Sequence, residues 1–304
     1  MNLRTDLKCP LRRDVRLSLY TTMQVGGPAS WFAEPQTEEE LVEILDFAQQ
    51  ERLPKVILGK GSNLIFPDEG FPGLVISLTH YEQERIVVDR EKSFVQVSAG
   101  VHLYRFVLAM RDAGLGGAEF LANIPGTIGG ALVMNAGFSR FPGQINEIGD
   151  ITEQVTILDG QGKRAVLQRN ELKFSYRHSN LDGKIVLSAV LRLWRRPAEE
   201  IQREVKANFD YRNTKQDLRY PSSGSVFKNP GQANTTAGQL VEKAGLKGAR
   251  VGGAMVSQRH GNYIVNVGGA KSSDVRQLIS QIQKSVLDAT GILLEPEVRF
   301  VERP

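Results

Sequence analysis

Glycine placement is the feature that most narrows what this chain can fold into. Of 304 residues, 30 are glycine, where average usage of ~7% would give about 21. Gly59-Lys60-Gly61-Ser62-Asn63-Leu64 follows the apolar run Val56-Ile57-Leu58. Ile124-Pro125-Gly126-Thr127-Ile128-Gly129-Gly130-Ala131 runs into Asn135-Ala136-Gly137. Bare backbone in such loops can press closely on a flat or anionic ligand, because no side chain intervenes. The first loop is not a dinucleotide fingerprint, since Leu64 stands where a third glycine belongs. It also lacks the Gly-Lys-Ser/Thr ending of a P-loop. Taken alone, the first loop reads as a strand-exit turn, and the second as tight packing or a bulge. Two such loops in one half favour a bound nucleotide cofactor.

Local patterns around these loops mix helix and strand. Thr37-Glu38-Glu39-Glu40 predicts a helix start, with Thr37 capping the first amides and Glu40 reaching back. Leu41, Ile44, Leu45 and Ala48 form its apolar stripe, and Pro54 ends it. Strands are expected at Val56–Leu58, Leu74–Leu78, Ile86–Val88 and Phe94–Val97. Leu103–Ala113 reads as a helix capped by Gly114, and the glycine-rich run from Ile124 to Gly137 as loop. A hairpin is expected from Val155–Leu158 through Asp159-Gly160-Gln161-Gly162 to Ala165–Leu167. A strand at Ile185–Trp194 leads into Arg195-Arg196-Pro197, which reads as a linker. Beyond it come a polar helix at 198–212, a helix near Gln239–Ala244, and strands at Ala254–Ser257 and Tyr263–Val267. A helix from Ser272 places Val275, Leu278, Ile279, Ile282 and Val286 on one face, and Leu293–Val301 is the closing strand.

Several classes are excluded early. The length is enough to bury a sizeable core without disulfide or metal staples. The single cysteine, Cys9, can form neither an internal disulfide nor a cysteine-rich zinc site, and no metal site is expected. Residues 1–10 lack the apolar core of a signal peptide. No apolar run approaches the ~18 residues of a membrane span, so a cytoplasmic location is expected. The charge of 38 − 34 = +4 is mildly basic and dispersed. That suits an anionic small molecule, and no basic run with interleaved aromatics supports nucleic-acid binding.

Three stretches carry side chains suited to chemistry. Tyr176-Arg177 places a phenol beside a guanidinium, which can fork onto a carboxylate or enolate. A surface arginine beside a packed tyrosine is the plainer alternative. In Ser222-Ser223-Gly224-Ser225-Val226-Phe227-Lys228-Asn229-Pro230, a serine hydroxyl becomes a proton donor only with developing charge on the substrate or a polarising neighbour. Lys228 offers a point charge for a phosphate or carboxylate, while a turn with self-satisfied serines is the alternative. In Leu293–Phe300, strand alternation puts Glu295, Glu297 and Arg299 on one face. If that face lines a cleft, a raised carboxyl pKa would make Glu297 a proton donor. His260, in a Gly-rich turn, is equally open to a structural reading.

Taken in order, these motifs resemble the UDP-N-acetylenolpyruvoylglucosamine reductase family of bacterial cell-wall synthesis. The resemblance runs from about Thr21 to Arg299. It includes Thr22-x-x-x-Gly26-Gly27-Pro28-Ala29, both glycine loops, Tyr176-Arg177, Gly224-Ser225-x-Phe227-Lys228-Asn229-Pro230, Gly245-Leu246-Lys247-Gly248 and Glu295-Pro296-Glu297-Val298-Arg299. It implies an α+β fold. A two-lobed FAD-binding domain of the vanillyl-alcohol-oxidase (PCMH) type would span 1–196, with lobes at about 20–80 and 81–196. An α+β substrate-binding domain would span 197–304, its last strand contributing to the active site. FAD would be held non-covalently by Gly59 to Leu64 and by Ile124, Pro125, Gly126, Thr127, Gly129, Gly130 and Ala131. NADPH would reduce the flavin and leave, and UDP-N-acetylglucosamine enolpyruvate would then accept the hydride. By the same resemblance, Arg177 and Glu297 would stabilise the enolate and Ser225 would protonate it. Tyr176, Lys228, Asn229 and His260 would contact substrate. A monomer is expected.

The chain departs from the family pattern in three places. Gln216 is followed by Asp217 rather than proline, and Val301-Glu302-Arg303-Pro304 lacks the usual glycine. The short interval between Arg177 and Ile185 leaves no room for the tyrosine-bearing segment of one branch, so the chain resembles the shorter type. Two competing readings remain at this level. One is a flavin oxidase on the same cofactor domain, which would not explain the serine-lysine loop. The other is a sugar-nucleotide-binding protein without turnover.

Overall fold

In the computed structural model, residues 3–4, 7–89, 91–141, 146–159, 162–231 and 235–303 are described. The chain divides into two compact units that interleave along the sequence. Unit 1 comprises Met1–Arg12, Phe32–Lys60 and Leu74–Arg212, and unit 2 comprises Arg13–Trp31, Gly61–Gly73 and Asn213–Pro304. Gly160 and Gln161 of the expected hairpin turn lie outside the described residues.

In unit 1, helix α1 (Glu38–Gln50) starts where its cap predicts. Thr37 Oγ1 accepts from the Glu40 amide (3.3 Å), while Glu40 reaches back to the Gln36 amide rather than to Thr37's own. The strand Lys55–Leu58 pairs in parallel with Leu74–Ser77. A five-stranded antiparallel sheet runs in the order Arg164–Gln168, Thr152–Leu158, Ile185–Arg192, Phe94–Ser98, Ile86–Asp89. Its central strands bury Val95, Val97, Val155, Ile157, Ala189 and Leu191. Helix α2 (Leu103–Asp112) adds Leu103, Phe106, Val107 and Met110 to the same core.

The glycine-rich run differs from its expected loop form. Ile128–Val133 is a short helix, α3, packed on the strands Ile185–Arg192 and Phe94–Ser98. Glycine disfavours helix, but here tertiary approach overrides propensity. A Cβ at Gly129 would lie 2.9 Å from the Ala99 Cβ, and the Ile128 and Gly129 amides donate to the Val101 and Ala99 carbonyls. Arg195-Arg196-Pro197 is likewise no loose linker. Trp194–Arg195 pairs with Leu115–Gly116, and Arg196 Nη1 contacts the buried carboxylate of Glu119 at 2.8 Å. The helix that follows, α4 (Ala198–Lys215), buries Ile201 and Val205 in the core of unit 1.

Unit 2 is a four-stranded antiparallel sheet, ordered Ser222–Ser225, Tyr263–Asn266, Ala254–Val256, Arg250–Val251. Helix α5 (Ala237–Lys243) is capped by Thr236. Helix α6 (Ser272–Thr290) buries the face read from its spacing: Val275, Leu278, Ile279, Ile282 and Val286. Its first amides are capped by a distant residue, Asp68, whose carboxylate accepts from Ser272 N (2.7 Å), Ser273 N (3.0 Å) and Ser273 Oγ (2.7 Å). The closing strand is shorter than alternation suggests. Only Arg299–Phe300 pairs as strand, in parallel with Leu64–Ile65. Leu294 and Val298 are nevertheless buried, because the preceding residues are tied by single bonds to the segment after Ser225.

Candidate functional site

In unit 1, the strand Lys55–Leu58 delivers Gly59 against Thr127. A Cβ at Gly59 would lie 2.8 Å from Thr127 Oγ1, so the start of the first glycine loop packs closely against the Thr127 side chain of the second. Thr127 forms a bridge with His102, and Gly126 O accepts from Leu103 N. The amides of Ile128 and Gly129 are spent on the chain's own carbonyls. Lys60, Pro125 and Gly130 are exposed along this edge.

In unit 2, Gly61 is held by close approach. Its φ is +63°, a Cβ there would lie 2.2 Å from Tyr20 O, and Gly61 O accepts from Thr22 N. Asn63 Nδ2 donates to Glu297 O (3.0 Å), and Arg299 N donates to Asn63 O (2.9 Å). Asn63 thereby anchors the segment that carries Glu297. Ser62 and Leu64 are half-buried beside it.

Arg177 is the best-supported candidate in unit 1. Phe174–Ser175 pairs with His178–Ser179, which leaves Tyr176-Arg177 as a two-residue turn. Arg177 there adopts φ +57°, a left-handed conformation that costs a residue with a Cβ roughly 1–2 kcal/mol. Strain of this kind points to function when the surroundings enforce it. Arg177 Nη2 donates to Gly137 O (3.1 Å), Nη1 lies 3.7 Å from Glu147 Oε1, and Cζ lies 4.9 Å from the centre of the Tyr176 ring. Burial pushes the Glu147 carboxyl up, against a hydrogen bond from Asn135 and the attraction of Arg177 that pull it down. Asn135 lies in the glycine-rich stretch read from the sequence, whereas Glu147 carries no motif and only the structure draws attention to it.

Ser225 is placed by an irregularity in unit 2. Ser222 pairs with Val265 and Ser225 with Tyr263, so the strand carries one extra residue, a bulge at Ser223-Gly224. Gly224 takes φ +72°. A bulge re-aims the side chains next to it, and this one lies directly before Ser225. Past it, the Asn262 side chain extends the ladder: Oδ1 accepts from Phe227 N and Nδ2 donates to Phe227 O, both at 2.8 Å. Val226 O then accepts from Glu297 N (2.7 Å). Ser225 and Glu297, 72 residues apart in sequence (297 − 225), are thus brought onto adjoining backbone. Thr22 Oγ1 and Ser223 Oγ are buried without a hydrogen-bond partner in the protein, a condition that costs stability unless a water or ligand meets them.

The remaining candidates have protein partners. Lys228 N donates to Glu295 O (2.9 Å), and its Nζ lies 2.6 Å from Glu295 Oε1. Asn229 Oδ1 accepts from Ala237 N (3.0 Å) at the start of α5. His260 Nδ1 accepts from Asn262 N (3.1 Å), which leaves its proton on Nε2, and burial pushes the imidazole pKa down. Tyr176 is half-buried under the Arg177 guanidinium. Among the described residues, no group of three or more His, Cys, Asp or Glu is arranged to hold a metal. No helix among the described residues is long and apolar enough to cross a membrane.

The close approach of Gly59 to the Thr127 hydroxyl sets two glycine-bearing loops beside each other, an arrangement that suits a flat nucleotide cofactor with phosphates. The family comparisons agree. Residues 29–168 match an FAD binding domain, which makes the chain a flavoprotein of the FAD-binding oxidoreductase class. Residues 216–301 match the UDP-N-acetylenolpyruvoylglucosamine reductase, C-terminal domain. Two curated reductases of that name are similar over nearly the whole chain. The one from Synechococcus sp. (strain WH7803) is 42% identical over 95% of this chain and 92% of its own. The one from Moorella thermoacetica is 40% identical over 97% and 95%. The crystal structure of the reductase from Thermus caldophilus superposes with a TM-score of 0.78 at 36% identity, covering 99% of this chain and 100% of that one. The chain belongs to the UDP-N-acetylenolpyruvoylglucosamine reductase family.

Proposed function

We propose that this chain reduces the enolpyruvyl group of UDP-N-acetylglucosamine enolpyruvate to the lactyl ether of UDP-N-acetylmuramate at the expense of NADPH, a step of peptidoglycan synthesis. The observation that carries the residue assignment is the bulge that aims Ser225 beside the Glu297 segment. A bound FAD would supply the hydride chemistry between NADPH and the terminal vinyl carbon. Gly59, Lys60, Gly61, Ser62, Asn63 and Leu64, with residues Ile124–Ala131, are the backbone and side chains assigned to hold it. In this reading residues 1–196 serve the flavin and 197–304 the sugar nucleotide.

Each residue's task follows from where charge develops. Adding hydride to the vinyl carbon pushes an electron pair toward the substrate carboxylate. Arg177 meets that charge with a guanidinium that stays protonated. Glu297 helps only as a carboxylic acid donating a hydrogen bond, since a carboxylate would repel the enolate. The enolate is basic enough to take the proton of Ser225 Oγ, which solvent restores. Lys228, Tyr176, Asn229 and His260 are assigned to the sugar nucleotide. For Lys228 this means exchanging Glu295 for a substrate anion. The need for NADPH supports a cytoplasmic location.

The test is an anaerobic absorption titration. Bleaching of bound flavin by NADPH, followed by recovery on adding the enolpyruvyl sugar nucleotide, supports the assignment. Bleaching without recovery removes this substrate. Ser225→Ala is expected to keep the first half-reaction and lose the second, and equal loss of both would remove Ser225 from the chemistry.

A further inference from the structure

Arg177 is held by more than its own turn. Asn135 lies one layer behind it, 1% exposed and itself at φ +43°. Its side-chain Nδ2 donates to Ser175 O (3.0 Å), two residues before Arg177, and to Glu147 Oε2 (2.5 Å), while its Oδ1 accepts from Gly149 N (3.0 Å). One amide therefore fixes both the turn that carries Arg177 and the carboxylate that faces it. The other carboxylate oxygen, Oε1, is buried, accepts no hydrogen bond, and lies 3.7 Å from Arg177 Nη1. The two side chains are 17% and 18% exposed, so water screens their attraction only partly.

We propose that Glu147 is a positioning residue for Arg177. Anchored by Asn135, it steers the guanidinium by charge at a distance too long for a hydrogen bond between Oε1 and Nη1. The proposal rests on the assignment of Arg177 to the enolate, and the test separates the two.

The probe is UDP-N-acetylglucosamine enolpyruvate, added anaerobically to holoenzyme reduced by NADPH, with each half-reaction timed separately. Glu147→Gln keeps an oxygen to accept from Asn135 and removes only the charge. Flavin reduction by NADPH is expected to stay within about twofold. Reoxidation by the sugar nucleotide is expected to slow roughly 10-fold, below the ~100-fold that a 1 Å misplacement can cost. The loss should fall on kcat more than on KM. Glu147→Asp, which keeps the charge, should recover most of the rate. In an Arg177→Gln background, Glu147→Gln should add nothing.

If Arg177→Gln reoxidises normally, the assignment of Arg177 fails and this proposal falls with it. If Arg177→Gln is slow but Glu147→Gln is normal or faster, only the proposal is overturned. Losses that add in the double variant overturn it too. Equal slowing of both half-reactions with a lowered Tm shows a merely structural role and also overturns it.

Discussion

Replacing Gly224 by alanine tests whether the bulge aims Ser225. Gly224 sits at φ +72°, and a Cβ there would meet nothing within 4 Å. The substitution therefore carries no collision, only a backbone penalty of roughly 1–2 kcal/mol for a left-handed alanine. The less flexible unfolded chain returns about 0.4–1 kcal/mol, leaving a net loss of about 0.5–1 kcal/mol. That is a drop in Tm of roughly 1–4 °C for a protein of this size. Gly291, which ends α6, has the same φ of +72° and the same open surroundings, so Gly291→Ala should cost the same. The two variants should differ in chemistry. Only Gly224→Ala relieves its strain by redrawing the register between Ser222↔Val265 and Ser225↔Tyr263. It should slow flavin reoxidation by the sugar nucleotide while NADPH reduction continues. Thermal melts and anaerobic stopped-flow on both variants make the comparison. If Gly224→Ala reoxidises like the parent while Gly291→Ala shows the expected melt, the bulge does not aim the proton donor. A loss above about 3 kcal/mol in either variant would mean that more than backbone conformation had been disturbed.

Other substitutions probe separate parts of the structure. Arg177→Lys keeps the charge but loses the planar fork, so reoxidation should fall sharply in single-turnover measurements, and unchanged turnover would remove Arg177 from the site. Asp68→Ala should cost about 0.5–2 kcal/mol by uncapping α6, read by denaturant melts at neutral pH. Burial raises the Asp68 carboxyl, but hydrogen bonds from Ser273 and Ser272 outweigh it and hold the pKa below its usual 3.8. Its contribution is therefore complete above the ordinary carboxylate range and is lost as pH falls through that lowered value. The gap between parent and Asp68→Ala should close in acid, and a gap independent of pH would refute the charged cap. Ile282→Ala removes a 1% exposed side chain from the apolar face of α6 and should cost about 2–5 kcal/mol in the same melts.

Much of the architecture was legible locally. The Thr37 cap, the apolar face of α6, the strands of the five-stranded sheet and the turn at Gly114 each depend on neighbours within a few residues, where spacing and capping chemistry act. Arg177, Ser225 and Glu297 stand out through the resemblance of their motifs to the reductase family; by themselves, the arginine and the charged face of residues 295–299 read as ordinary surface. The misreadings share one cause. The run 128–133 folds as α3 despite its glycines because Ala99 lies against Gly129. Arg195-Arg196-Pro197 is pinned because Gly116 and Glu119 lie beside it.

By itself, then, the amino-acid string determined the glycine loops, the order of helices and strands, and which side chains were available for chemistry. Tertiary structure alone decided how those side chains are held. The bulge before Ser225 exists only against Tyr263 and Val265. Asn63 is tied to Glu297 across 234 positions, and Asn135 reaches across 40 positions to Ser175, two residues before Arg177. The physical reason is range: caps and periodicities are properties of adjacent residues, whereas the direction of a catalytic side chain is set by hydrogen bonds and close contacts that come into being only when distant segments pack.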